Sequence, residues 1–356
     1  MEPATRVLEP EIWTAAALGR APEVWKLLEA GADIEAKGGK RDSSPLHRSA
    51  YFGREVVAAL LLAGGAQVSA KDDAGMTPLH YAVSGGQEAL ALMLLQHGAE
   101  VSAKTIEGGA PMHYAAMHGH DSLARLLQQH GADVSVKDNE GRSPLHAAAL
   151  LGKASIVLLL LQAGTEVSSK TSDGATPLHQ AAHQGREVVV RLLLQYGAEA
   201  SATTSRGATP MHAAASQGHE GVVRVLFEHG VDLDVKTNSG ATAEVVATTR
   251  SHFPVAAMLS AEALRRTQCV TFAMGLQVTH SLTLTHSLTH SHTLTHTLTH
   301  SHTHTLTHSH THTLTHSHTH TLTHSHTHTR NQDRLGARSR VRALDAEMLR
   351  MVLEHV

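Results

Sequence analysis

The sequence predicts an all-α solenoid in which short pairs of helices repeat and stack in chain order. A box that usually reads Thr or Ser, then Pro, Leu or Met, and His returns every 33 residues without drift. Glycines recur in the same frame at three further places in each copy, and a leucine-rich segment precedes one of them. A fixed period of this length indicates stacked units, because one unit cannot bury its apolar face alone.

Each box is predicted to open a helix. The hydroxyl of the leading Thr or Ser can cap an unpaired backbone N–H, and Pro fits the first helical position, where its missing N–H is no loss. The Leu or Met then points into the core, and the His can form a hydrogen bond to the neighbouring copy. The boxes are Pro45-Leu46-His47, Pro78-Leu79-His80, Pro111-Met112-His113, Pro144-Leu145-His146, Pro177-Leu178-His179 and Pro210-Met211-His212.

The fourth copy illustrates the rest of the unit. Ala148 and Ala149 are small enough for neighbouring first helices to approach closely, and Gly152 ends the helix with a left-handed backbone that needs no Cβ. Leucines such as Leu160 form the core of a second helix that Gly164 closes. A short extended segment leads to a turn glycine, so each unit is predicted to be helix, turn, helix and a projecting hairpin-like loop.

This pattern resembles the ankyrin repeat, with matches to G-x-T-P-L-H-x-A-A-x-x-G and L-L-L-x-x-G-A in six successive copies between about Ser43 and Val235. The resemblance implies L-shaped units stacked into a curved solenoid, with loops and first helices lining a concave binding face. Ala110 replaces the capping Thr, and Thr165 and Val231 replace Ala. Each departure is expected to cost about 1 kcal/mol or less.

Altered units at both ends are predicted to be caps. The segment that begins at Trp13 lies one period before the first box but lacks Pro-Leu-His, and Thr242–Val245 is in phase without Pro or His. The predicted divisions are an N-terminal cap over 1–42, six repeats over 43–239, a C-terminal cap over 240–264, a linker over 265–277, a low-complexity tract over 278–332 and an amphipathic helix over 333–356.

Composition argues against several classes of protein. The formal net charge is −3 and aromatic residues make up only 3%, so no basic nucleic-acid surface is indicated. The single cysteine, Cys269, fits a reducing compartment. Met1–Trp13 has no apolar core for a secretory signal, and the longest aliphatic run, Ile156–Leu161, is too short to span a bilayer. We expect a soluble intracellular monomer, in the cytoplasm or alternatively the nucleus, that binds neither nucleic acid nor membrane.

No catalytic or metal-binding constellation is predicted. The repeated histidines are expected to serve the fold, and Gly38-Gly39-Lys40 is read as a turn because no phosphate-loop context frames it. His113, His118 and His120 could meet at a metal, but nothing supplies a fourth ligand. We therefore expect no enzymatic activity, no cofactor and no metal.

The variable positions of the concave face are the candidate site. Several of them are apolar where the scaffold requires nothing apolar, and an exposed apolar patch rimmed by charge is typical of a protein interface. The alternative is that these side chains pack against adjacent loops. The predicted partner-binding residues are Tyr51, Phe52, Met76, Ile106, Met117, His118, Arg142, Leu150, Leu151, His183 and Arg206.

Function is therefore predicted to be non-catalytic binding of another protein through the concave face. A second hypothesis concerns the C-terminal segment, where six apolar residues form one stripe of a helix and resemble the short helices of F-box-like or SOCS-box-like adaptors. Such a helix could recruit a second partner, for example a ubiquitin-ligase component, or simply pack on the array. The stripe consists of Leu344, Met348, Leu349, Val352, Leu353 and Val356.

The tract from Thr279 to Thr329 has three possible explanations. Even positions are His or Leu and odd positions are Thr or Ser, so alternating histidines could bind metal on one strand face, or the tract could aggregate as a strand. We favour a third, at the level of DNA. If every other base is C and the rest are A or T, codons alternate between those for His or Leu and those for Thr or Ser.

That hypothesis makes the tract a retained intron. Gln277-Val278 can be encoded as a splice donor and Gln332 can end in an acceptor, so removing residues 278–332 joins Gln277 to Asp333 in frame. We predict that spliced RNA sequenced across codons 270–340 lacks codons 278–332. Uniform inclusion of the tract in the mature message would exclude the idea.

Overall fold

The computed structural model describes residues 5–39 and 41–268 of the 356-residue chain. These residues contain sixteen helices and no strand, apart from an isolated bridge between Gly38 and Ser43. The all-α prediction is thus confirmed. The predicted tract at 278–332, the predicted helix at 333–356 and Lys40 lie outside the described residues.

The helices alternate between the first and second members of each pair. In chain order they are α1 (Thr5–Leu18), α2 (Ala21–Glu29), α3 (Pro45–Tyr51), α4 (Glu55–Ala63), α5 (Pro78–Ser84), α6 (Glu88–Gln96), α7 (Pro111–His118), α8 (Asp121–Gln129), α9 (Pro144–Leu151), α10 (Ala154–Gln162), α11 (Pro177–His183), α12 (Glu187–Gln195), α13 (Pro210–Gln217), α14 (Glu220–Glu228), α15 (Ala243–Thr249) and α16, described over 253–268.

Pairs stack strictly in sequence order. First helices contact the first helices on either side, from α1 to α15, and second helices from α2 to α14 do the same in a parallel row. The core lies between the two rows, where each fully buried leucine contributes about 1.5–3 kcal/mol relative to an exposed one. Leucines with no exposed surface are Leu46, Leu79, Leu145 and Leu178 from the boxes, and Leu61, Leu94, Leu127, Leu160, Leu193 and Leu226 from the second helices.

Each box histidine joins its own helix start to the next repeat. The Nδ1 atom of His80 accepts a hydrogen bond from the backbone N–H of Thr77 at 3.1 Å, and its Nε2 lies 3.2 Å from the carbonyl oxygen of Gly109. Because a backbone N–H only donates and a carbonyl only accepts, Nδ1 is unprotonated, Nε2 carries the proton and the imidazole is neutral. The carbonyls that the six imidazoles contact, at 2.9–3.2 Å, belong to Met76, Gly109, Arg142, Ala175, Ala208 and Ala241.

The box hydroxyl and the box histidine cap the helix start together. In the second repeat the side chain of Thr77 faces the backbone N–H of His80, and the side chain of His80 accepts from the N–H of Thr77, which is a reciprocal capping box. Thr77 Oγ1 also lies 2.9 Å from Nδ1 of His80 and donates to that unprotonated nitrogen. At Thr176 the hydroxyl accepts from the helix N–H of His179 at 3.4 Å. Ala110 lacks the hydroxyl yet keeps the bond from its own N–H to Nδ1 of His113, at 3.1 Å, so the histidine part of the cap remains there.

Loops stack on one another through single backbone bonds. Each turn closes on itself, as where the N–H of Thr105 donates to Gly109 at 3.0 Å, and the next loop adds a bond from the N–H of Asn139 to the carbonyl of Glu107 at 3.0 Å. Gly108 sits at this contact with φ +80, and a Cβ there would lie 2.4 Å from Oδ1 of Asn139. Only glycine permits both the left-handed backbone and the close approach.

The two segments predicted to be caps make local contacts that differ from those of the repeats. Helix α1 has 14 residues and extends before the position of a box, and Trp13 Nε1 donates to Ser43 Oγ at 3.2 Å. At the other end, Thr242 Oγ1 accepts from the N–H of Val245 at 3.4 Å in place of the proline and histidine. Ser251 takes the left-handed position of the repeat glycines, with φ 63.

The chain divides into two compact units at residue 261. The first, Met1–Ala261, contains all six repeats. The second begins at Glu262, and its described part is the continuation of α16, in which Glu262 pairs with Arg265 and Arg266 at 2.8 Å. The helix thus passes through the predicted boundary between cap and linker at 264.

The buried imidazoles predict a loss of stability in acid. Burial lowers the pKa of each box histidine, opposed in part by its bond to the next repeat, and the pKa of His80 and of His146 falls to about 4. Between about pH 6.5 and pH 4 these histidines bind protons in the unfolded chain but remain neutral in the folded chain. The free energy of unfolding therefore falls as pH falls. At pH 5 the effect is about 2 kcal/mol for a histidine such as His80.

Denaturant midpoints measured from pH 7 to pH 4.5 test this expectation. The midpoint should fall across the range, and His80→Gln should flatten the dependence while lowering the midpoint at pH 7. His97→Gln is the matched control, because His97 is exposed at the end of α6 and should leave the dependence unchanged. A midpoint that does not move with pH would contradict the neutral-imidazole assignment.

Restoring the missing hydroxyl should stabilise the third repeat. Ala110 is 2% exposed in a site that holds Thr at the equivalent Thr77 and Thr209, which are 2% and 4% exposed. Ala110→Thr places a hydroxyl beside the unprotonated Nδ1 of His113, where it can share that acceptor with the backbone N–H as Thr77 does at His80, and is expected to raise the free energy of unfolding by about 0.5–1.5 kcal/mol. Thr209→Ala should lower it by a similar amount. Equal midpoints for all three chains would show that the hydroxyl contributes nothing.

Candidate functional site

A groove of about 720 Å³ runs across the first helices and loops of the third, fourth and fifth repeats. We call it the central groove. Helices α7, α9 and α11 form its floor, and the three loops that precede them form one wall. Four of the predicted binding residues line it together: Met117, Arg142, Leu150 and Leu151.

The floor of the central groove is apolar. Met117 and Leu151 are each 39% exposed, Leu150 is half-buried, and Tyr114 adds an aromatic ring beside them. These residues sit at the open ends of α7 and α9, beyond the alanines that pack neighbouring helices together. Their exposed surface is therefore not needed for stacking, and it is available to a ligand.

The loop wall of the central groove is acidic. Glu107, Asp138, Glu140 and Asp173 line it together with a single guanidinium, that of Arg142. Arg142 Nε lies 2.7 Å from Asp138 Oδ2, and its Nη1 lies 3.0 Å from Glu140 Oε2. Burial raises the pKa of Asp138, but the bonds from Arg142 outweigh it and hold that pKa below its usual value. Four carboxylates and one guanidinium leave the wall with an excess of negative charge.

The imidazoles beneath the groove are fully engaged. His113 and His146 line it, and each has Nδ1 bonded to the N–H at its helix start and Nε2 bonded to the next repeat. Neither ring has a free lone pair, so neither can act as a general base or ligate a metal without breaking the stack. In the described residues no group of three or more His, Cys, Asp or Glu side chains is arranged to hold a metal ion.

A second groove, of about 660 Å³, continues the surface over the fifth and sixth repeats and the C-terminal cap. We call it the C-terminal groove. Two predicted residues line it, His183 and Arg206, and Arg250 adds a second guanidinium. No carboxylate is among the described residues that line it. Gln180 on α11 lines both grooves, so the two surfaces meet there.

Tyr51 and Phe52 lie apart from both grooves, in an aromatic cluster at the first repeat. Their rings meet edge to face at 5.1 Å, and they are 41% and 39% exposed. The guanidinium of Arg48 lies 4.2 Å from the ring centroid of Trp13 and 4.7 Å from that of Phe52. These contacts give the two residues intramolecular neighbours, as the alternative interpretation expected, while leaving part of each ring open.

Met76 is the predicted residue that the structure removes from the surface. Its side chain is only 6% exposed, and Arg41 Nη1 lies 3.2 Å from its sulfur. Its backbone carbonyl accepts the bond from His47. Met76 lies in the loop that precedes α5, but the covering arginine buries its side chain, so it is not available to a partner.

The remaining two predicted residues are exposed outside the grooves. Ile106 stands at a loop tip with 69% of its surface exposed. His118 ends α7 and stacks on His120 with ring centroids 5.8 Å apart. Burial, followed by the nearby His120 and Lys153, lowers the pKa of His118 and favours its neutral form.

Sequence reasoning missed Tyr114 and Gln180 as groove residues. Both occupy the position directly after a box histidine, where the six repeats carry four different residue types while the flanking positions hardly change. Variation at one position within an otherwise uniform repeat was the signal that could have identified them.

The fold and its grooves define a class of protein: a helical-repeat scaffold with an irregular grooved surface on a regular core. A family model described as Ankyrin repeats (3 copies) matches residues 12–105, 102–171, 163–237 and 192–266. These matches cover more than half of the chain, so the chain belongs to the ankyrin-repeat family, as its boxes predicted. No curated protein sequence matches it. Ankyrin repeats generally mediate interactions between proteins.

None of the helices in the described part of the chain combines the length and apolarity needed to cross a bilayer.

Proposed function

We propose that the chain is a non-catalytic module that holds a segment of a protein partner in the central groove. Met117, Leu150 and Leu151 are the anchoring contacts, and Tyr114 supplies an aromatic neighbour. The observation that carries the proposal is the clustering of these apolar side chains in a concave site that helix stacking does not require. Binding energy in protein interfaces concentrates in a few such side chains within a concave patch.

The non-catalytic part of the proposal has its own support. His113 and His146, the imidazoles of the groove, are held by two bonds each, and two of the four carboxylates of the loop wall, Asp138 and Glu140, are paired with Arg142. A general base or nucleophile requires a free group within reach of its substrate. The alternative adaptor role, recruitment of a second partner through 344–356, rests on the sequence pattern alone. We infer that the chain acts as a monomer.

Removal of one anchor should abolish partner capture without unfolding the chain. Leu151 is the last residue of α9 and 39% exposed, so Leu151→Ser is expected to weaken partner binding at least tenfold and to change the melting temperature by only a few degrees. The measurement is quantitative mass spectrometry of proteins captured by the full chain, followed by titration of the captured partner.

Leu92→Ser is the matched control. Leu92 is 37% exposed on the second helix α6, away from both grooves, so its replacement makes the same chemical change without touching the site. Capture that falls equally in both variants, or that survives Leu151→Ser, would show that the central groove is not the binding site.

A further inference from the structure

The two grooves carry charges of opposite sign along one continuous surface. The central groove presents four carboxylates and one guanidinium, whereas the C-terminal groove presents two guanidiniums and no carboxylate among its described residues. Gln180 marks the boundary, since it lines both. A partner segment that lies along this surface therefore meets a negative field followed by a positive one.

Two of the four carboxylates of the negative pole form ion pairs, and the other two are exposed to a ligand. Arg142 already pairs with Asp138 and Glu140, at 2.7 Å and 3.0 Å. Glu107 and Asp173 line the same wall, and both side chains are exposed, so cationic side chains of a ligand could reach them. Leu151 and Met117 belong to the floor beside this wall, which places an apolar contact within the acidic site.

The positive pole consists of exposed arginines on two different elements. Arg206 comes from the loop of the sixth repeat and Arg250 from the end of α15. Their guanidiniums flank the groove, and burial lowers the pKa of two of the imidazoles beside them, His179 and His212. Carboxylates, from side chains or from a chain terminus, are the groups that guanidinium binds best in a protein ligand.

The distance between the poles follows from the stacking. The central groove is centred on α9 and the C-terminal groove on α13, two repeats later. Neighbouring packed helices are about 8–10 Å apart, so the centres are separated by roughly 16–20 Å. An extended chain covers about 3.3–3.6 Å per residue and crosses that distance in roughly five or six residues.

We propose that the partner segment has a fixed charge order: an apolar residue flanked by Lys or Arg, which occupies the central groove, and Asp, Glu or a chain-terminal carboxylate roughly five or six residues away, which occupies the C-terminal groove. This inference rests on the proposed function, because it assumes that the central groove is the binding site. It adds the chemistry of the ligand and its placement on the repeats.

A peptide library displayed on phage tests the charge order directly. Random peptides of about twelve residues, long enough to cross both grooves, are selected on the full chain and counter-selected on the Leu151→Ser chain. The expected result is enrichment of peptides with the apolar-cationic cluster and the carboxylate at the stated separation. Enriched peptides without this order, or a library that yields no binder specific to the full chain, would overturn the proposal.

Charge exchange then locates each pole. Arg206→Glu is expected to weaken an enriched peptide about fivefold, and replacing the acidic residue of the peptide with Lys should restore binding to that variant. Glu107→Lys should likewise weaken the peptide, and reversing the charge of the cationic residues of the peptide should restore binding to that variant. Arg125→Glu makes the same change on α8, outside both grooves, and should have no effect. If neither charge-reversed peptide regains binding, the assignment of the acidic and cationic residues of the peptide to the two grooves is wrong.

Two outcomes separate this proposal from the proposed function. Peptides retained equally by the Leu151→Ser chain would show that the central groove is not the site, and both proposals would fail. Peptides lost from that variant but insensitive to charge exchange would leave the groove as the site and overturn the charge order alone. Self-association of the full chain that Leu151→Ser abolishes, seen by sedimentation, would make a second copy the occupant and likewise overturn it.

Discussion

The neutral imidazole that joins each repeat to the next is the interaction on which the array depends. His80 holds its own helix start through Nδ1 and the following loop through Nε2, so one side chain fixes both the entry of a helix and the register of its neighbour. The bond is buried, where a hydrogen bond is electrostatically strong and an unsatisfied partner is costly. The bond recurs at six interfaces, so the position of each repeat depends on contact with the next one. Such contacts between neighbours make a one-dimensional array of repeats cooperative.

That constraint also bears on where the proposed binding surface lies. Box residues and alanines are committed to stacking, so on this face the residues vary at the loop tips, the open ends of the first helices and the position after each histidine. Leu151, Glu107 and Gln180 occupy these three kinds of place. A surface assembled from such positions on successive repeats is contiguous in space although its residues are distant in sequence, and loops held by a rigid scaffold are common sites of function.

The fold was predictable almost entirely from sequence, because its period fixes helix boundaries, glycine positions and the partner of each histidine. The site was predictable only in part. Register identified Met117 and Leu151 correctly as surface residues, but it could not show that Arg41 covers Met76, since that contact depends on side-chain size across two repeats. Register also could not show that Leu150 lines a groove whereas Tyr51 does not. The repeat pattern treats every copy as equivalent, but a groove forms over only some of the copies.

Opposite charges on the two grooves bear on specificity more than on affinity. Exposed ion pairs contribute little to binding energy, so the apolar floor around Leu151 would supply most of the stabilisation. Charge instead decides which segments approach and in which register, because a like charge facing Glu107 or Arg206 is penalised. A uniform stack of helices would bind any apolar peptide in several registers. The charge changes from negative to positive at Gln180, which favours one register of the peptide over the others. The charged residues that produce this preference are not needed for the stacking of the repeats.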